Sequence, residues 1–114
     1  MAFPGTYNFS YYRGDLFEFV VRPKNANGSN FDLAGYTANF VIATARGESG
    51  VQYICDAVVN ATSDIVTCTI TPAVGRTLDP GTYVYDVQIT SGPTVIYTLL
   101  TGTVSVTDDI SGAV

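Results

Sequence analysis

The chain has 114 residues, enough for one domain that buries roughly two-thirds of its unfolded surface without metals or disulfides. A formal net charge of −5 repels phosphate backbones and anionic headgroups, which argues against nucleic acid and membrane surfaces as partners. Histidine is absent, excluding Ser-His-Asp and Cys-His nucleophile systems and imidazole-ligated zinc, and the scarcity of Lys and Glu beside Thr, Val, Ile, Tyr and Phe is that of pleated sheet.

Tyr7, Phe9 and Tyr11 alternate with Asn8 and Ser10, the period-two pattern of a short strand. Residues 1–12 are expected either to complete the domain's own core or to form an arm whose Tyr7, Phe9, Tyr11 and Tyr12 dock on a neighbouring subunit. After Arg13-Gly14-Asp15, the residues Phe17, Phe19 and Val21 alternate with Glu18 and Arg22 in a strand stopped by Pro23 and the turn-forming run 25–29. Asp32-Leu33-Ala34-Gly35 bends the chain into a strand over 36–44 with Ala38, Phe40 and Ile42 on one face. Segments 51–59 and 64–71 read as a hairpin around Asn60-Ala61-Thr62-Ser63. That hairpin sets Cys55 and Cys68 about equidistant from its tip, facing each other as reduced core thiols, with a demanding cross-strand disulfide as the alternative.

Pro72 ends the hairpin, 73–78 has room for one helical turn, and Asp79-Pro80-Gly81 launches Tyr83, Tyr85, Val87 and Ile89 on one strand face. Asp79, Gly81 and Tyr83 have the spacing of a tyrosine corner, in which the ring hydroxyl bonds back to the preceding backbone; position 85 is Tyr where antibody domains carry Cys. Val95, Tyr97 and Leu99 share one phase and Leu100, Val104 and Val106 the other, so the last strand must slip by one residue between Leu99 and Gly102. Seven short strands with no helix longer than a turn predict an all-β chain: a single immunoglobulin-like β-sandwich of about seven antiparallel strands over 13–110, with 111–114 as a tail.

The motifs that could carry chemistry have simpler readings. Arg13-Gly14-Asp15 is a turn before a strand, and the sequons at Asn8, Asn27 and Asn60 come without a secretion signal. Asp108-Asp109 lacks the spacing of a calcium loop, and Glu18 and Glu48 fall on a strand face and in a loop rather than across a cleft. No catalytic residue, cofactor or metal is expected. The N-terminus has no signal-like stretch, so the chain is expected to be made and kept in cytosol.

Four pieces resemble the immunoglobulin-like sandwich modules of tail, baseplate and other virion proteins of tailed bacteriophages. They are Arg13-Gly14-Asp15 before Phe17 and Phe19, Asp32-Leu33-Ala34-Gly35-Tyr36-Thr37 before Phe40, Leu78 through Asp86, and Leu100-Thr101-Gly102-Thr103-Val104. The resemblance implies a non-enzymatic virion component, made in the host cytoplasm, that packs against other virion proteins and copies of itself as a homo-oligomer, first of all as a tail or baseplate adaptor. Capsid decoration is the close alternative. From another class comes a carbohydrate-binding attachment module using Tyr12, Tyr53 or Tyr97, and a third, a secreted adhesion domain, requires an oxidised Cys55–Cys68 pair.

Overall fold

Period-two alternation of β-branched and aromatic residues produces eight strands and one helical turn in the computed structural model, which describes residues 5–45, 50–92 and 95–107. In chain order these are β1 (Gly5–Thr6), β2 (Phe9–Tyr12), β3 (Phe17–Val21), β4 (Thr37–Ala43), β5 (Gln52–Asn60), β6 (Ile65–Ile70), α1 (Pro72–Gly75), β7 (Gly81–Ser91) and β8 (Val95–Thr107). The helical turn has Pro72 at its start and is capped by Thr71, whose hydroxyl accepts from the Val74 amide at 3.4 Å.

The strands form one sheet in the order β1-β8-β7-β4-β5-β6-β3, with β2 also on β8. What curls it is β5. Its first half, Gln52 to Cys55, pairs with β4, and its second half, Asp56 to Asn60, pairs with β6. The two arms of the sheet therefore face each other across the core. Phe9 on β2 and Phe17 on β3, near opposite ends of the strand order, stack at 4.7 Å, so the half-barrel closes through side chains rather than through a ladder. Phe19 meets Phe40 edge-on at 5.3 Å, and Phe40 meets Tyr85 at 5.7 Å, linking the arms through the middle.

Two features differ from the sequence reading. The N-terminal segment is two strands, both parallel to β8, rather than one member of an all-antiparallel set. The expected slip in the last strand is present, by contrast, and lies at Leu99: Val87 pairs with Leu100 and Gln88 with Thr98, leaving Leu99 as a bulged residue turned into the core. The hairpin register sets Cys68 opposite Ala57, while Cys55 lies two residues further from the tip and pairs with Phe40 instead. The cysteines are thus diagonal neighbours, because a four-residue turn that pairs Asn60 with Ile65 makes 57, not 55, the partner of 68. Both are free thiols in the core.

Candidate interaction surfaces

The described N-terminal residues, 5–12, are held by their own domain. The Tyr7 amide donates to Thr101 O at 3.0 Å, the Thr103 amide donates to Asn8 Oδ1 at 2.9 Å, and the Tyr85 hydroxyl donates to Tyr7 O at 2.5 Å. The side chain of Asn8 thereby stands in for the ladder where pairing lapses between β1 and β2. Phe9 and Tyr11 point inward into the core, which corrects the expectation that all four aromatic residues could contact a partner: strand alternation leaves only Tyr7 and Tyr12, 46% and 57% exposed, for that. Tyr11 donates from its hydroxyl to Asp15 O, and burial, then the Asp15 charge, raises its pKa. Tyr85 was legible only as a core residue. Its clamp on Tyr7 joins residues 78 apart, and burial pushes its hydroxyl pKa well up.

The tyrosine corner forms as its spacing implies. The Tyr83 hydroxyl donates to Asp79 O at 2.8 Å, and Gly81 takes a positive φ of 150° just before the ring enters the core. Arg13-Gly14-Asp15 is a tight turn: the Asp15 amide donates to Tyr12 O at 3.1 Å, Gly14 has φ 86°, and Arg13 donates to Arg76 O at 2.9 Å beside α1. Two of the three sequon asparagines are engaged locally, while Asn8 reaches across to β8. Asn27 Oδ1 accepts from the Ser29 amide and hydroxyl, and Asn60 Oδ1 from the amides of Thr62 and Ser63. Burial pushes the thiols of Cys55 and Cys68 up to about 12, so neither is a nucleophile near neutral pH.

Two surfaces stand out. On the outer face of β4, β5 and β7, a depression of about 450 Å³ is lined by Asn39, Val41, Gln52, Ile54, Val84, Asp86 and Gln88. Cross-strand register places Ile54, Val41 and Asp86 in one row and Gln52, Ala43 and Val84 in the next. Ile54, at 73% exposure, is the most exposed large apolar residue of the described chain. The second surface is the open seam of the half-barrel, a depression of about 400 Å³ lined by Tyr7, Phe19, Val20, Val21, Arg22 and Leu100.

The tyrosines considered for sugar stacking do not share a surface. Tyr53 packs edge-on against Tyr83 at 6.0 Å, whereas Tyr97 clusters with Phe31 and Tyr36 at 6.0 and 6.4 Å. Tyr12 sits at the other end of β8 from Tyr97, paired with Thr107. Among the described residues no three of Cys, Asp and Glu gather where they could hold a metal ion; Asp108 and Asp109, like Glu48, lie outside the described residues.

No protein-family model matches the chain. No curated protein matches it in sequence either. Among solved structures, the chain is similar to an internalin-like protein of Listeria monocytogenes at 14% identity and a TM-score of 0.45, covering 90% of this chain and 27% of that one. It is also similar to a family 123 glycoside hydrolase from Clostridium perfringens at 15% identity and a TM-score of 0.40, covering 91% of this chain and 23% of the hydrolase. The chain spans only about a quarter of the length of each.

Proposed function

We propose that the protein is a non-enzymatic assembly module of a tailed-phage particle, an immunoglobulin-like sandwich that packs against other virion proteins at the tail or baseplate. The observation that carries the reading is the outward apolar surface of a domain whose core is already complete. Ile54, Val58 and Val51 on or beside β5, with Leu16 and Val20 around β3, stand exposed on strands whose inner faces are filled. The finer fold reading is supported by the switch of β5 between arms, by the tyrosine corner at the start of β7 and by the docking of the N-terminal strands on the last strand. The four sequence pieces of the resemblance fall at the junctions that build this arrangement: the turn before β3, the bend into β4, the corner before β7 and the stretch of β8 that receives β1 and β2.

Immunogold labelling of intact particles with an antibody against the protein tests the proposal. Gold at the tail tip or baseplate is the expected result; gold over the whole head assigns capsid decoration instead, and unlabelled particles overturn the virion reading. A glycan-attachment module is the second reading, favoured by the amides of Asn39, Gln52 and Gln88 around the outer depression. Saturable binding in a titration with host cell-wall polysaccharide would put it first.

A further inference from the structure

The edge of β3 is one of the two ends of the described sheet, with strand partners on one side only. Along Phe17–Val21 every residue pairs with β6, and among the described residues no strand lies on the other side. Such an edge presents a row of backbone donors and acceptors that another extended chain can complete. Beside it opens the seam lined by Tyr7, Phe19, Val20, Val21 and Leu100, a largely apolar floor with Arg22 at its rim.

We propose that β3 pairs antiparallel with β3 of a second copy about a two-fold axis at Val20, continuing the sheet from one molecule into the next. The side chains select this occupant and this register. With the axis at Val20, Glu18 lies opposite Arg22 of the second copy and Arg22 opposite its Glu18, so two opposite-charge pairs flank a Val20–Val20 contact. On the inner face, Phe19 lies opposite Val21 of the second copy, extending the half-buried row already in place. Moving the axis two residues, to Glu18, would set two carboxylates face to face, which opposes association. Glu18, Val20 and Arg22 are all exposed in the single chain, so pairing asks for no rearrangement of the core. The pairing does not depend on where, or whether, the protein sits on a particle.

Sedimentation of the full chain over a concentration series, with Glu18→Arg, Arg22→Glu and the double swap, tests the charges. Each single reversal replaces both attractive pairs by repulsive ones and is expected to weaken the dimer at least about tenfold, while the double swap restores it to within about threefold. Far-UV spectra and urea melts of each single variant, matching those of the parent chain, separate loss of pairing from loss of the fold. A second measurement reads the register. Opposed strand residues have Cα separations that a disulfide spans, so Val20→Cys is expected to give a covalent dimer under mild oxidation. Glu18→Cys alone should not, whereas Glu18→Cys mixed with Arg22→Cys should. Buried Cys55 and Cys68 leave the oxidant to the introduced thiols. A chain that stays monomeric up to about 1 mM, a dimer indifferent to the charge reversals, or a Val20→Cys variant that fails to cross-link overturns the proposal.

Discussion

Gly102 provides the sharpest test of how the N-terminal strands are held. A Cβ at this position would lie 2.8 Å from the carbonyl carbon of Tyr7 and 2.9 Å from Asn8 Oδ1, and closer still to the Tyr7 carbonyl oxygen. The obstructing atoms are chiefly backbone, so they cannot swing aside as a flexible side chain would. Relief in Gly102→Ala requires the segment around Tyr7 and Asn8 to lift off β8, weakening the hydrogen bonds from Tyr7 N to Thr101 O and from Thr103 N to Asn8 Oδ1. It also withdraws the acceptor of the buried Tyr85 hydroxyl. Two weakened bonds at about 1 kcal/mol each, with about 1 kcal/mol more for the stranded hydroxyl, give a loss of about 3 kcal/mol. In a domain of this size the melting temperature should fall on the order of 10 °C. Where no clash exists, replacing a glycine by alanine at an ordinary φ stabilises by about 0.4–1 kcal/mol through the unfolded chain, so even the sign of the effect is diagnostic. Gly5→Ala is the control: its Cβ would meet only Leu100 Cδ1 and Leu99 O, at 3.6 and 4.0 Å, and should leave stability unchanged or raise it by up to about 1 kcal/mol. Urea denaturation with hydrogen exchange at the Phe9 and Tyr11 amides measures both stability and detachment. A neutral or stabilised Gly102→Ala with undiminished protection would refute the crossing as described.

Three further outcomes are expected. Gly75→Ala would drive its methyl into the Tyr11 hydroxyl, so it should destabilise by about 2 kcal/mol, and Tyr11→Phe in the same chain should recover part of that loss; strictly additive effects in a double-mutant cycle would deny the contact. Tyr83→Phe removes the bond to Asp79 O and should lower stability by about 1 kcal/mol in urea melts with the far-UV spectrum unchanged. The thiols of Cys55 and Cys68, raised from 9.0 to about 12 by burial, stay protonated in the fold while unfolded thiols ionise above about pH 9. The unfolded state then binds fewer protons than the native one, so stability should fall as pH rises from about 9 towards 12. Native protein should resist iodoacetamide at pH 8.5 and react promptly in urea, and rapid labelling of the folded chain would contradict their burial.

The local elements were legible wherever alternation is strict and punctuation strong. Tyr83, Tyr85, Val87 and Ile89 all lie buried on β7, as their spacing implies, because Asp79-Pro80-Gly81 fixes the start of the strand and each second residue then faces the same way. The change of phase in the last strand likewise revealed the bulge at Leu99, since Leu99 and Val104 are an odd number of positions apart and cannot both face inward on a strand of unbroken alternation. Even the tyrosine corner needed only three residues at fixed spacing, a purely local geometry.

What was not legible depends on pairings between distant parts of the chain. That β1 and β2 run parallel to β8 follows from Asn8, Gly102 and Tyr85, each unremarkable by itself and informative only once 7 and 102 are adjacent. The relation of Cys55 to Cys68 failed for a related reason. Counting from the tip gave an approximate symmetry, whereas the register is set by which two residues close the turn, and an error of two positions keeps both side chains on the same face while removing the direct opposition. A surface site suffers most from this dependence. Ile54, Val41 and Asp86 come from three strands, and Tyr7, Phe19 and Leu100 from the β1–β2 link, β3 and β8, so neither depression exists in any window of the sequence. The edge of β3 is the exception: the residues that would recognise a second copy, Glu18 and Val20 on the strand and Arg22 just past its end, alternate along one short segment, and their complementarity about Val20 is already written in the order of the chain.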